Sequence, residues 1–402
     1  MSGTKLLPRA QYADARLMMA TAPAPKSPPP PARVPGYGRA RLWVGITGVG
    51  TFVALSAAAL AVGLPAAVEG QTESGVWAAV TTLALFAAAH AALQLPFDLL
   101  GGYLLPRWYN RSRPDTAVFL ARLARGVAFY TALLFTTLCV LLLGGRLGGV
   151  WGVLAASLTL SVLLLSGRAA VAAGLSRLRV EAPTGDPPVA FASSDDEGFT
   201  GGVVGLMRPR YHLLPARWRE ALTPEQLSYA RLRREFAVST GAWRRGRTLA
   251  LLFTLCGVLG AAALTGPDRL GTAGGTIELS LWFTLWSFAG LLALPAVSRR
   301  GVAEVDARAR AAGAPDAVAA ATIDALDALQ DDEPQRPAWV EAIFHPVPSV
   351  RNRAASDADP ARGAWDVART ALYLGLAAGG LLGRAVHCNS GRPALWAFLP
   401  VD

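Results

Sequence analysis

Histidine is scarce in this sequence. Four occur in 402 residues, at His90, His212, His345 and His387, and no two stand at the i, i+4 spacing by which one helix face presents a pair of metal ligands. Cysteine is scarcer still: Cys139, Cys256 and Cys388 lie far apart, two of them inside apolar runs, which excludes a cysteine metal cluster and a disulfide framework. Lysine occurs only at Lys5 and Lys26, so the net charge of +10 is almost wholly arginine. Those arginines flank apolar stretches and are not interleaved with aromatics, which argues against a nucleic-acid partner. The glycine-rich stretch 199–205 lacks the Gly-Lys-Ser/Thr of a phosphate-binding loop, and no Gly-x-Ser-x-Gly elbow occurs. No cleavable signal peptide is evident, because the first long apolar run begins near Trp43.

What the chain has in quantity is apolar sequence. Hydrophobic residues make up 52% and charged residues only 16%, too apolar for an ordinary soluble protein and suited to several membrane spans. Six runs approach the roughly 20 residues a bilayer requires: 43–64, 75–95, 126–143, 150–166, 248–264 and 279–297. Arginines crowd alternate connections: Arg33, Arg39 and Arg41 precede the first run, Arg107, Arg111, Arg113, Arg122 and Arg125 fill the second connection, Arg168, Arg177 and Arg179 follow the fourth, and Arg299 and Arg300 follow the sixth. The positive-inside rule then predicts an integral protein of a bacterial inner membrane, with its polar regions in the cytoplasm and the lipid bilayer as its first partner.

This divides the chain into a proline-rich tail (1–40), a four-helix membrane region (41–167), a first polar part (168–247), a membrane hairpin (248–297), a second polar part (298–366) and an apolar C-terminal segment (367–402). Within the last, 371–386 is shorter than a span and contains Arg384; an interfacial or short packed helix is expected. After the second span Pro96 is expected to end the helix, Gly101 and Gly102 to let the chain turn, and Trp108 and Tyr109 to lie at the interface.

The most informative stretch is 197–245. Two short apolar runs, 199–205 and 209–215, predict a β-pair. A helix follows, with Thr223 as N-cap, Pro224 at the first position and Gln226 completing a capping box; it is expected to run toward Arg245. The order of Phe-Thr-Gly-Gly strand, strand ending in Leu-Pro, and Leu-Thr-Pro-Glu-Gln-Leu helix start resembles the integral-membrane zinc endopeptidases of the CAAX prenyl protease and HtpX-like family. The resemblance covers roughly 94–353.

It implies a mainly α, polytopic membrane protein of about six transmembrane helices with a split cytoplasmic α+β metalloprotease-like domain. The helix would carry the family's His-Glu-x-x-His, with two zinc ligands and a general base. Counted without gaps, those positions hold Arg233, Arg234 and Ala237; shifted by one they hold Arg234, Glu235 and Val238. The third ligand position falls on Val302 when Asp306 is matched to the family's aspartate, with Glu304 at a second, non-ligand acid. Pro348, Ser349 and Arg353 match the family's closing motif, whose histidine falls on Val347, two residues after His345. Arginine, alanine and valine offer zinc no lone pair.

Two readings stay open. In one, the chain is a non-catalytic membrane protein, without zinc, that binds a peptide or membrane-protein partner in the former cleft beside the strand Phe199, Thr200, Gly201 and Gly202. In the other, it is an active membrane zinc metalloendopeptidase with displaced ligands, drawn from His212, His345 and Glu235 or Glu304. Otherwise His212 reads as a partly exposed sheet residue, His345 as a helix cap and His90 as a bundle hydrogen-bonding group. Under the first reading Arg233 or Arg234 pairs with Glu304 or Asp306 where the metal would stand. The alternative is that these arginines face solvent, with Arg231 paired to Glu235 along the helix.

Overall fold

Apolar chain in a bilayer must satisfy its backbone internally, so the long runs fold as helices. The computed structural model describes residues 36–71, 75–111, 114–206, 210–330, 332–354 and 361–399; residues 1–35 of the expected tail lie outside these. Helix α1 (Tyr37–Ala61) opens the described chain, which moves the end of the tail back from residue 40. It is followed by α2 (Leu64–Gln71) and α3 (Val76–Leu99). Pro96 does not end α3. The chain passes through it into a π-helical turn (Leu100–Leu104) and a short helix, α4 (Leu105–Trp108).

The third and fourth expected spans are the arms of one helical run, α5 (Thr116–Ser166), broken where Gly148 and Gly149 leave helical geometry (φ −152° and +53°). The arms fold back on each other there, so that a Cβ at Gly144 would strike the main chain of Gly152. Among the described residues five helical runs are therefore long and apolar enough to cross a membrane: α1, the run from α3 through α4, α5, α9 (Ala242–Thr265) and α10 (Ala273–Ala311).

The polar part begins with α6 (Arg168–Ser176) and a four-stranded sheet of β1 (Arg179–Val180), β2 (Val189–Ser193), β3 (Gly202–Val204) and β4 (Tyr211–Pro215), in the order β1-β2-β4-β3. The expected pair is β3 antiparallel to β4, with Val203 opposite His212; β2 and β4 run parallel. After α7 (Trp218–Ala221), α8 (Pro224–Ser239) starts on the capping box: Thr223 Oγ1 accepts from the Gln226 N–H and Gln226 Oε1 from the Thr223 N–H, at 3.3 and 2.9 Å. It stops short of Arg245, because Gly241 takes a left-handed φ of 76° and the chain restarts as α9. The returning helix α10 runs on beyond the membrane and leads to α11 (Asp316–Gln330), α12 (Ala338–Phe344) and α13 (Val350–Ala354). The stripe on α11 is core: Ala319, Ile323 and Leu326 are buried, and Leu329 packs beside them.

The C-terminal segment is not interfacial. Helix α14 (Val367–Leu374) and three single 3-10 turns run inside the bundle, with nearly every side chain buried from 363 to 399. Irregular backbone survives at membrane depth only where protein supplies its hydrogen bonds, and here it does. Ser280 Oγ donates to Gly379 O (2.5 Å), Thr284 Oγ1 accepts from Leu381 N (3.2 Å), and His90 Nε2 meets Leu381 O (3.0 Å). Arg168 Nε donates to Ala397 O at 2.7 Å. Asp98, fully buried on α3, pairs with fully buried Arg384 and accepts from Gly391 N at 2.9 Å.

The helices make room by giving up side chains. A Cβ at Gly45 would strike the main chain of His387, and one at Gly102 that of Gly391. Gly102, expected to turn the chain, instead allows this close approach.

Arg384→Ala strands Asp98 without its cation and should cost about 3–5 kcal/mol, whereas Asp98→Asn combined with Arg384→Met should recover part of that loss. Thermal unfolding in detergent reads both, and a loss below ~0.5 kcal/mol in the single variant would contradict the clamp.

Candidate functional site

The capping box fixes where α8 begins and so which residues face the sheet, α10 and solvent. Arg231 and Glu235 take the outer face and pair at 3.0 Å while partly exposed, worth a few tenths of a kcal/mol. Arg233 and Arg234 do not face solvent; they are 2% and 0% exposed, and they diverge. Arg233 Nε donates to Asp306 Oδ1 at 2.6 Å. Arg353 grips the same carboxylate from the other side, Nε to Oδ2 at 2.8 Å and Nη2 to Oδ1 at 3.0 Å. Asp306 thus lies between two guanidiniums, three buried charges that hold each other in place.

Arg234 points toward the sheet. It donates to Thr200 O (2.7 Å) and Leu213 O (3.3 Å) and lies over the Trp218 ring. Glu304 pairs with neither Arg233 nor Arg234. Its partners are Arg245 Nη2, at 2.6 and 2.8 Å, and the Gly363 N–H at 2.8 Å, so it anchors the start of the C-terminal segment. Ala237 and Val302 meet in an apolar cluster with Val203, Ala242, Trp243, Val305 and Trp365. Trp365, from the head of the C-terminal segment, closes this cluster and is 3% exposed.

The strand edge expected to line a cleft is covered. Phe199 is fully buried with its ring 5.9 Å from that of Phe398, and Gly202 lies against the same ring. The Val203 carbonyl accepts from Arg247 Nη2 at 2.8 Å, and the Thr200 carbonyl is taken by Arg234. Gly201 is in the left-handed region (φ 71°), where a Cβ would meet Leu213 O. An incoming strand needs free main-chain groups, and these carbonyls are already occupied by arginines.

The histidines do not assemble. His212 is buried, not partly exposed; burial, with Arg234 and Arg231 nearby, lowers its pKa to about 4. His345 stands at the C-cap of α12, its N–H donating to Glu341 O at 3.3 Å, and Arg299 Nη1 donates to the carbonyls of Glu341, Ala342 and His345 at 2.7–3.0 Å. His345 stacks near His387, with ring centroids 5.2 Å apart. Among the described residues no three of His, Cys, Asp and Glu converge as a metal would require.

No protein-family model matches the sequence, and no curated protein does so either. The arrangement of helices and sheet is similar to the crystal structure of Ste24p from S. mikatae, with a TM-score of 0.57 over 70% of this chain and 76% of that one. The fold is Ste24p-like. Sequence identity is only 10%, so the likeness shows the fold alone. The residues here do not fit zinc: Arg233 and Arg234 offer only protons, and Ala237 and Val302 have no donor atom.

Arg353, Arg245 and Trp365 complete the site without having been assigned to it from sequence. Arg353 had a signal, its place in the motif-like 345–353 stretch; Arg245 and Trp365 had none.

Asp306→Ala leaves two buried guanidiniums facing each other and should cost about 3–5 kcal/mol or abolish folding, while Arg233→Met, which leaves the Arg353 fork on Asp306, should cost about 1–3 kcal/mol. Denaturation in detergent ranks the two, and equal, small losses would contradict the three-charge arrangement.

Proposed function

We propose that this protein is a non-catalytic membrane protein on a metalloprotease-like scaffold, a pseudoprotease whose interior is occupied by its own C-terminal segment. The observation that carries the reading is the packing of Ala237 and Val302 against Trp365, an apolar cluster where the resemblance would put two zinc donors. The neighbouring Arg233–Asp306–Arg353 contact supports it, since guanidiniums balance a carboxylate that would otherwise be buried unpaired. The former cleft strand lies under Phe398. A peptide or membrane-protein partner would reach it only with that end of the chain withdrawn, so in the arrangement seen here the occupant is the chain itself.

Metal analysis of the purified protein should find zinc well below one per chain, and peptide hydrolysis, if any, should not respond to a chelator. Stoichiometric zinc with chelator-sensitive proteolysis would falsify the proposal and favour a working metalloendopeptidase.

The proposal includes orientation in a bacterial inner membrane. Arg107, Arg111, Arg122 and Arg125 on one connection, with Arg177, Arg179, Arg299 and Arg300 on others, support a cytoplasmic polar domain. Cysteines placed at the exposed positions Ser228 and Ala320 should react with an impermeant maleimide only after cells are opened. Labelling in intact cells would reverse the orientation.

A further inference from the structure

A cavity of about 420 Å³ opens where the arginine-rich ends of several helices meet. Its walls come from the first turn of α1 at Tyr37, the end of the α3–α4 run at Pro106 and Arg111, the first turns of α5, the end of α6, and residues 391–394 of the C-terminal segment. Five arginines line it: Arg111, Arg122, Arg125, Arg177 and Arg392. Three acids do so as well, Asp195, Asp196 and Glu197, so cations are in excess.

The pairing within the cavity is uneven. Arg392 grips Asp196 (Nε to Oδ2, 2.7 Å), Arg122 reaches Asp195 at 3.2 Å with both partly exposed, and Arg111 reaches Asp332 at 2.9 Å. Arg125 meets no carboxylate among the described residues: its guanidinium donates to the carbonyls of Gly174 and Ala173 at the end of α6, at 2.9 and 3.1 Å. Arg177 follows directly, in a left-handed conformation with φ 57°, and makes no ion pair among the described residues. Among the described residues Arg125 and Arg177 are thus the two lining arginines outside an ion pair, and against the one remaining lining acid, Glu197, the cavity keeps a net positive charge. The remaining wall is apolar, with Val118, Phe119, Leu123 and Leu175.

The depth of this cavity says what would fill it. Trp108 beside it is 64% exposed, and on the adjoining turns of α5 Val118 and Leu120 are 42% and 48% exposed. An exposed tryptophan among arginines, with exposed aliphatic residues just beyond, marks the boundary between headgroups and acyl chains. Basic pockets between membrane helices at that level suit an anionic lipid headgroup.

We propose that the cavity binds the headgroup of an anionic phospholipid, its phosphate between Arg125 and Arg177 and its acyl chains leaving along Val118 and Leu120. Because Arg392 and Pro393 of the C-terminal segment form one wall, a bound lipid also braces that segment in its seat.

The test uses the full chain purified in detergent, with melting temperature followed as phosphatidylglycerol, phosphatidylcholine or inorganic phosphate is added. Phosphatidylglycerol should raise the melting temperature by at least about 3 °C more than phosphatidylcholine, and phosphate alone should not. Arg177→Gln should remove at least about half of that difference while leaving the lipid-free melting temperature near that of the parent, since the Arg177 side chain makes no ion pair among the described residues. Arg125→Gln also uncaps α6, so it is read only by the difference between the two lipids, which should shrink in the same way. Equal stabilisation by both lipids, an equal response to free phosphate, or an undiminished response in Arg177→Gln would each overturn the proposal.

Discussion

The Asp98–Arg384 pair is the contact on which the rest of the structure depends. Two unlike charges with no exposure, inside a helical bundle, are tolerable only if each finds the other, because an unpaired ion there costs several kcal/mol. Asp98 is on α3 and Arg384 on the C-terminal segment, so the pair forms only when that segment has entered the bundle. Once it has, Gln94 and His90, one and two turns back along the same face of α3, meet carbonyls of the segment. Its irregular turns are then satisfied by protein where no water is available. The close approaches at Gly45 and Gly102 follow from the same insertion.

The entry of that segment connects the membrane part to the old site. Glu304 holds the Gly363 N–H, Trp365 closes over Ala237 and Val302, and Phe398 ends against Phe199. The scaffold is Ste24p-like, yet the positions that the family resemblance assigns to metal chemistry are taken by an apolar cluster and by a carboxylate between two arginines. Scaffold and chemistry are separable in this way because packing depends on shape and volume, whereas a zinc site depends on a few donor atoms.

Much of the fold was legible in the sequence. Apolar runs of the right length became membrane helices, and Thr223 with Gln226 marked the start of α8 to the residue. The Phe-Thr-Gly-Gly and Leu-Pro stretches became neighbouring strands. Local sequence misled where a tertiary contact overrode it. Pro96 stays within a helical run, and His212 is buried because β4 lies inside the sheet. The 371–386 stretch, too short to span, takes the packed alternative of the two expected for it, with Asp98, 286 residues away, receiving its only arginine.

By itself the sequence determined that the chain lives in a membrane, that it is mainly helical, and that Arg233, Arg234, Ala237 and Val302 stand where the family resemblance expects donors. Those are matters of composition, periodicity and residue identity. Only the tertiary structure decided that Arg233 and not Arg234 meets Asp306, 73 residues on, that Glu304 belongs to Arg245, and that residues 363–399 lie inside. The reason is physical. Arginines are chemically alike and adjacent ones differ only in direction, so which carboxylate each reaches is set by how helices pack across long separations, and helical periodicity carries no record of that.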